Sequence, residues 1–200
     1  MQWIPAIEER SSTGVREISV YSRHLRNRKI FLTGEINEAA AENIISEFML
    51  LADMDSEKPI SFYVNSGGGE VQSGLMIYDV IRSLRAPVNI ICTGTAASMA
   101  AVLLCCGEKG RRCILPHGET MIHEPLLSGS LKGSASSIRH ISESILETKD
   151  IINTLLAKHT GKTKEEIDLA TSFDNYMNAE ESVRFGLCDR ITGINGEETA

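Results

Sequence analysis

Between Lys29 and Cys106, short apolar runs alternate with stretches of helical periodicity, and the joints between them are only a few residues long. Lys29-Ile30-Phe31-Leu32, Pro59 to Asn65 and Pro87 to Cys92 read as strands. The segment from Ala39 to Ala52 places Ile44, Ile45, Phe48 and Leu51 on one stripe. Val71 to Leu84 does the same with Leu75, Ile77, Val80, Ile81 and Leu84, and Ser98 to Cys106 is a helix of small and apolar residues. Strands separated by helices pair in parallel, so the pattern predicts an α/β fold of repeated βα units in which helices cover a mostly parallel sheet. Arg111 to Pro116 is a further short strand. Beyond it the texture changes. A Gly/Ser-rich connector from Leu127 to Ser137 leads into a long helix over Ile138 to Lys158, with Ile138, Ile141, Ile145, Ile152 and Leu156 on one face and Gly161 as its C-cap. Thr163-x-x-Glu166 and Asn178-x-x-Glu181 are capping boxes that start two shorter helices.

Two hundred residues make one domain. Residues 1–20 lack steady periodicity and read as a mobile arm, 21–193 as the α/β domain with the long helix at about 134–160, and 194–200 as a tail. The net charge of −7 leaves no basic excess for a phosphate backbone, so nucleic acid is not expected as a partner. The five cysteines lie at 92, 105, 106, 113 and 188, mostly in apolar runs and without the paired spacing of a zinc site. No metal is expected, and a reducing, cytoplasmic setting fits. The N-terminus lacks a basic region followed by a long apolar one, and the 19 residues from Val88 to Cys106 are interrupted by Asn89, Thr93, Gly94, Thr95 and Ser98. Neither a secretory signal nor a membrane span is expected.

Ser98 stands where an apolar strand ends and a helix of small residues begins, beside unpaired backbone N–H groups that stabilise negative charge. An attacking alkoxide and a tetrahedral oxyanion both need that field, although a plain N-cap serine would occupy the same position. Gly67-Gly68-Gly69 also joins a strand to a helix. It lacks the Lys-Ser/Thr of a P-loop and the spacing of a dinucleotide fingerprint, so a turn or an oxyanion donor is expected rather than a nucleotide site. Among the five histidines, His123 ends an apolar strand directly after the Ser98 unit and is the candidate base. His159 falls in the last turn of the long helix, where a cation complements the dipole, and His24 lies among arginines. Asp174, between two helices, is the candidate partner for a histidine base, with a connecting-turn role as the plain alternative.

Four segments in order resemble the proteolytic subunits of the Clp protease family (ClpP): Tyr63-Val-Asn-Ser-Gly-Gly-Gly-Glu-Val, Gly94-x-Ala-Ala-Ser-Met-Ala-Ala, Met121-Ile-His-Glu-Pro and the stretch from Asp174 to Asp189. The similarity runs from about Ile4 to Ile191. It implies the crotonase-like fold and a serine endopeptidase in which Ser98 is nucleophile, His123 general base and Asp174 its orienter. It further implies that the backbone N–H groups of Gly69 and Met99 form the oxyanion hole. Heptameric rings of this chain, stacked in pairs through the long handle helix, would enclose the active sites. An AAA+ unfoldase such as ClpX, ClpA or ClpC would dock on a groove that includes Tyr63, use the ATP, and feed unfolded polypeptides past the axial arms. No cofactor is implied for the chain itself.

Three positions depart from that family's pattern: Gly67 replaces a proline, Glu124 replaces a glutamine, and Ser172-Phe173 replaces an Asp-Arg pair before the triad aspartate. Phenylalanine has no donors for a carboxylate on a facing ring, so weak stacking of this chain alone is expected, with a second ClpP paralogue able to supply the other face. Two rival readings stand beside the peptidase: a regulatory or structural subunit of a mixed ring with low activity of its own, and a crotonase-type acyl-CoA enzyme. Covalent labelling of Ser98 separates the peptidase from both.

Overall fold

The computed structural model describes residues 5–11, 14–127 and 133–193. The chain opens with an antiparallel hairpin, β1 (Ala6–Ser11) and β2 (Gly14–Ser19), followed by helix α1 (Val20–Arg26). Then come β3 (Lys29–Thr33), α2 (Glu38–Met54), β4 (Ile60–Ser66), α3 (Val71–Ser83), β5 (Val88–Ala97), α4 (Met99–Cys105), β6 (Arg112–Ile114) and β7 (Glu119–Ile122). The long α5 (Ala135–Thr160), α6 (Lys164–Thr171), β8 (Asn175–Asn178), α7 (Ala179–Phe185) and β9 (Arg190–Ile191) complete it. The main sheet runs β3-β4-β5-β6-β9 with parallel pairing throughout. This is the mixed α/β architecture with a parallel sheet that the alternation of strands and helices implies, and it agrees with the crotonase-like fold that the resemblance implies.

Alternation along the strands separates two apolar layers. Phe62, Val64, Ile90, Cys92 and Ile114 face the main core, where they meet Ile44, Phe48 and Leu51 of α2 and all seven residues of the buried α4. Tyr63, Ile91 and Cys113 face the other way and form a smaller cluster with Phe31 and Leu115, Tyr63 stacking on Phe31 at 5.0 Å between centroids. The capping boxes at Thr163/Glu166 and Asn178/Glu181 are both formed, and Gly161 closes α5 in the left-handed conformation at φ 79°.

Several features differ from the sequence reading. The β1–β2 hairpin has no buried face, since its ladder and the ion pairs from Arg23 and Arg26 to Glu9 hold it; hydrophobic periodicity therefore carried no signal. β5 does not end at Cys92. It runs on through Gly94-Thr-Ala-Ala because it changes partner along one edge: Ile90 to Cys92 pair with β6, and Thr95 to Ala97 pair with β7. His159 is buried, its Nε2 2.8 Å from Tyr78 Oη, and burial together with nearby Arg82, Lys158 and Arg112 lowers its pKa to about 4. It is a neutral core histidine rather than a cation at a helix end.

Arg112 ties the far side of the core together. Its side chain is 3% exposed and donates to Asp189 (Nη2 to Oδ1, 2.5 Å; Nε to Oδ2, 3.1 Å) and to the carbonyls of Cys105, His159 and Gly186. Burial alone would raise the Asp189 pKa, but the hydrogen bonds and charge of Arg112 outweigh it and hold the carboxyl below its ordinary value. One guanidinium thus joins the ends of α4, α5 and α7, and α4 carries Ser98 at its other end.

Candidate active site

The registers of two ladders bring three side chains together. β5 pairs in parallel with β7 (Ala97 with Met121), and β7 pairs antiparallel with β8 (Ile122 with Asn175). One step beyond these pairs lie Ser98, His123 and Asp174, on neighbouring strand ends spaced by about 4.8 Å. His123 Nε2 is 2.9 Å from Ser98 Oγ, and His123 Nδ1 is 3.1 Å from Asp174 Oδ1. The His123 side chain is 14% exposed and that of Asp174 62%, so the base is sheltered while its acid partner sits at the surface of the single chain.

Ser98 is held in an uncommon backbone conformation, φ 54° and ψ −124°, which for a non-glycine residue costs on the order of 1–3 kcal/mol. Its N–H donates to Met121 O at 2.8 Å, locking it to β7. Its hydroxyl makes no capping bond to α4, so it is not the plain N-cap that its position also allowed. The strained turn lifts Oγ toward His123 instead.

The glycine loop lies against this turn. A Cβ on Gly68 (φ 94°) would stand 2.7 Å from both Ala97 O and Ser98 Cβ, so only glycine fits there. Gly69 is clasped by Ile36, whose N–H donates to Gly68 O and whose carbonyl accepts from Glu70 N–H, each at 2.8 Å. Among the described residues, the N–H groups of Gly69 and Met99 have no acceptor, and the second belongs to the first turn of α4. Tyr63 is not part of this cluster: it belongs to the small apolar layer with Phe31 and Ile91.

Residues read from the sequence only as core or connector turn out to line the cleft. A pocket of about 20 Å³ beside Ser98 and His123 is walled by Val71, Met99, Val102, Ile122, Pro125, Ile152 and Leu156. Val71 and Pro125 also border a wider cleft of about 660 Å³ along α5, reaching His140, Ile141, Ile145 and Thr148. Only the apolar face of the long helix hinted at these walls, because a lining position and a core position share the same spacing. The connector residues 128–132 lie outside the described residues.

Phe173 and Tyr176, which flank Asp174 in the chain, have exposed side chains, so the Ser172-Phe173 departure sits on the surface beside the acid. Burial pushes the thiols of Cys92 up to about 11 and of Cys105 and Cys188 up to about 12, which leaves them as inert core groups. Among the described residues, no group of three or more His, Cys, Asp or Glu side chains is placed to hold a metal ion. No described helix is long and apolar enough to cross a membrane. A family model described as Clp protease matches residues 12–195.

Proposed function

The chain belongs to the Clp protease family, and from that premise we propose that it is a serine endopeptidase subunit cutting unfolded polypeptides and short peptides. The observation that carries the reading is the Ser98–His123–Asp174 chain of contacts at 2.9 and 3.1 Å, beside two unpaired amides. Ser98 Oγ attacks the scissile carbonyl while its proton passes to His123 Nε2. Asp174 accepts from Nδ1–H, fixes the tautomer and stabilises the imidazolium. The carbonyl oxygen, now an oxyanion, is received by the N–H groups of Gly69 and Met99. His123 returns the proton to the leaving amine, and water then repeats the sequence to release the acyl group from Ser98.

The apolar pocket next to Ser98 supports a preference for an apolar residue before the cut bond. Self-assembly into stacked heptameric rings, an AAA+ unfoldase that spends the ATP and docks at the Tyr63 layer, and a cytoplasmic setting complete the proposal. The exposed Phe173, without a donor for a facing carboxylate, supports weak stacking of this chain alone and a place for a second paralogue in the particle.

The test uses a short fluorogenic peptide and a stable folded protein. The peptide is cut without ATP and the folded protein only with an ATP-driven unfoldase, and Ser98→Ala abolishes both activities. Undiminished hydrolysis by Ser98→Ala would place the nucleophile elsewhere.

A further inference from the structure

His123 is followed by Glu124, whose side chain reaches across to the long helix: Lys149 Nζ lies 2.6 Å from Glu124 Oε2. The Glu124 backbone N–H donates to Thr171 O at 2.8 Å, three residues before Asp174. Thr171 in turn is bound to α5 through Asn153, whose Nδ2 is 3.2 Å from Thr171 Oγ1 and 2.6 Å from Asp168 Oδ1. One residue therefore sits where three pieces meet. Its neighbour carries the imidazole, its N–H holds the segment that ends in Asp174, and its carboxylate holds the helix whose Ile152 and Leu156 wall the pocket at Ser98.

We propose that Glu124 and Lys149 form a positioning pair that couples α5 to the His123–Asp174 geometry. This rests on the reading of Ser98, His123 and Asp174 as a catalytic set. Both side chains are partly exposed, at 44% and 30%, so the pair adds little to global stability. Its effect falls on placement. Asp174 has a single contact to His123 and lies mostly in solvent, so the imidazole's orientation depends on what holds the strand end after Ile122. The neighbouring tie through Asn153 and Thr171 fixes the acid's segment to α5, and Glu124–Lys149 fixes the base's segment to the same helix. Movement of α5 consequently reaches both halves of the site through adjacent turns.

The experiment compares Glu124→Gln, Lys149→Met, the double variant and the exchange Glu124→Lys with Lys149→Glu, all in the full chain. Two readouts are the rate constant for fluorophosphonate modification of Ser98 and the kcat and KM for a short peptide over a pH series. Each single change lowers the modification rate and kcat by roughly 3- to 10-fold with KM little altered, the double change is no worse than either single one, and the exchange restores most of the loss. Urea midpoints stay close to the parent's. Losses that multiply in the double variant, a lateral shift of the pH profile with an unchanged plateau, or rates equal to the parent's each overturn the coupling. Failure of the parent protein itself to react at Ser98 would instead overturn the catalytic reading beneath it.

Discussion

Replacing Asp189 by asparagine keeps the shape of the side chain and removes its charge from the buried Arg112. In the parent, the carboxylate accepts from Arg112 Nε, Nη2 and backbone N–H and from Gly110 N–H, at 2.5–3.1 Å. Asparagine turns an NH₂ toward one of these donors, and the guanidinium, 3% exposed, keeps only carbonyl acceptors. Removing one member of a buried ion pair costs about 3–5 kcal/mol, and the 17% exposure of Asp189 points to the lower end, about 3 kcal/mol. Domains of this size have about 5–15 kcal/mol in total, so the loss is a large share of the stability. The assay is urea unfolding followed by circular dichroism at neutral pH and one fixed protein concentration, since self-association would shift the midpoint. The sign with pH follows from the lowered pKa of Asp189: its contribution is complete above the ordinary carboxylate range and disappears as pH falls through the lowered folded-state value. Parent and variant should therefore converge in acid. A neutral-pH difference under about 0.5 kcal/mol, or one that persists unchanged in acid, would refute the argument.

Other expectations follow from the site and the core. Ser98→Gly should abolish peptide hydrolysis yet raise stability by about 1 kcal/mol, because it relieves the positive φ at the turn; a urea midpoint below the parent's contradicts the strain. Gly68→Ala should lower kcat/KM by about 100-fold or more with a well-folded far-UV spectrum, since its Cβ cannot fit beside Ala97 O and Ser98 Cβ; near-parent kinetics would show that the loop does not abut the reacting centre. His159 is held neutral with a pKa of about 4 against 6.5 when unfolded, so stability should fall by about 3 kcal/mol as pH drops through that window. His159→Gln should flatten this part of the stability profile, and an undiminished slope would remove the histidine as its source.

The strands β3 and β4 and the helices α2, α3 and α4 were legible because each buries one face or a whole segment, and burial writes itself as periodicity. Ser98, His123 and Asp174 were legible as candidates, but no local pattern showed their proximity, which only the family resemblance implied. That proximity depends on β5 leaving β6 for β7 and on a short β8 that the sequence showed only as a loop after α6. Gly94-Thr-Ala-Ala looks like a turn because it is made of small residues; they are small because Ala96 and Ala97 are buried beside the glycine loop. The strain at Ser98 and the ion pair from Glu124 to Lys149 are tertiary facts, joining residues that no local pattern relates. His159 shows the opposite failure. A local rule about helix ends assigned it a charge that burial against Tyr78 denies.

The most direct test of the catalytic reading is site mapping after brief reaction with a fluorophosphonate. Tryptic peptides of the intact parent protein should carry one adduct, on Ser98, and His123→Ala should slow its formation by at least about 1,000-fold while leaving the fold in place. An unmodified Ser98 under conditions that label a control serine hydrolase, or an equal rate in the His123→Ala variant, would contradict the assignment of Ser98 as the nucleophile activated by His123.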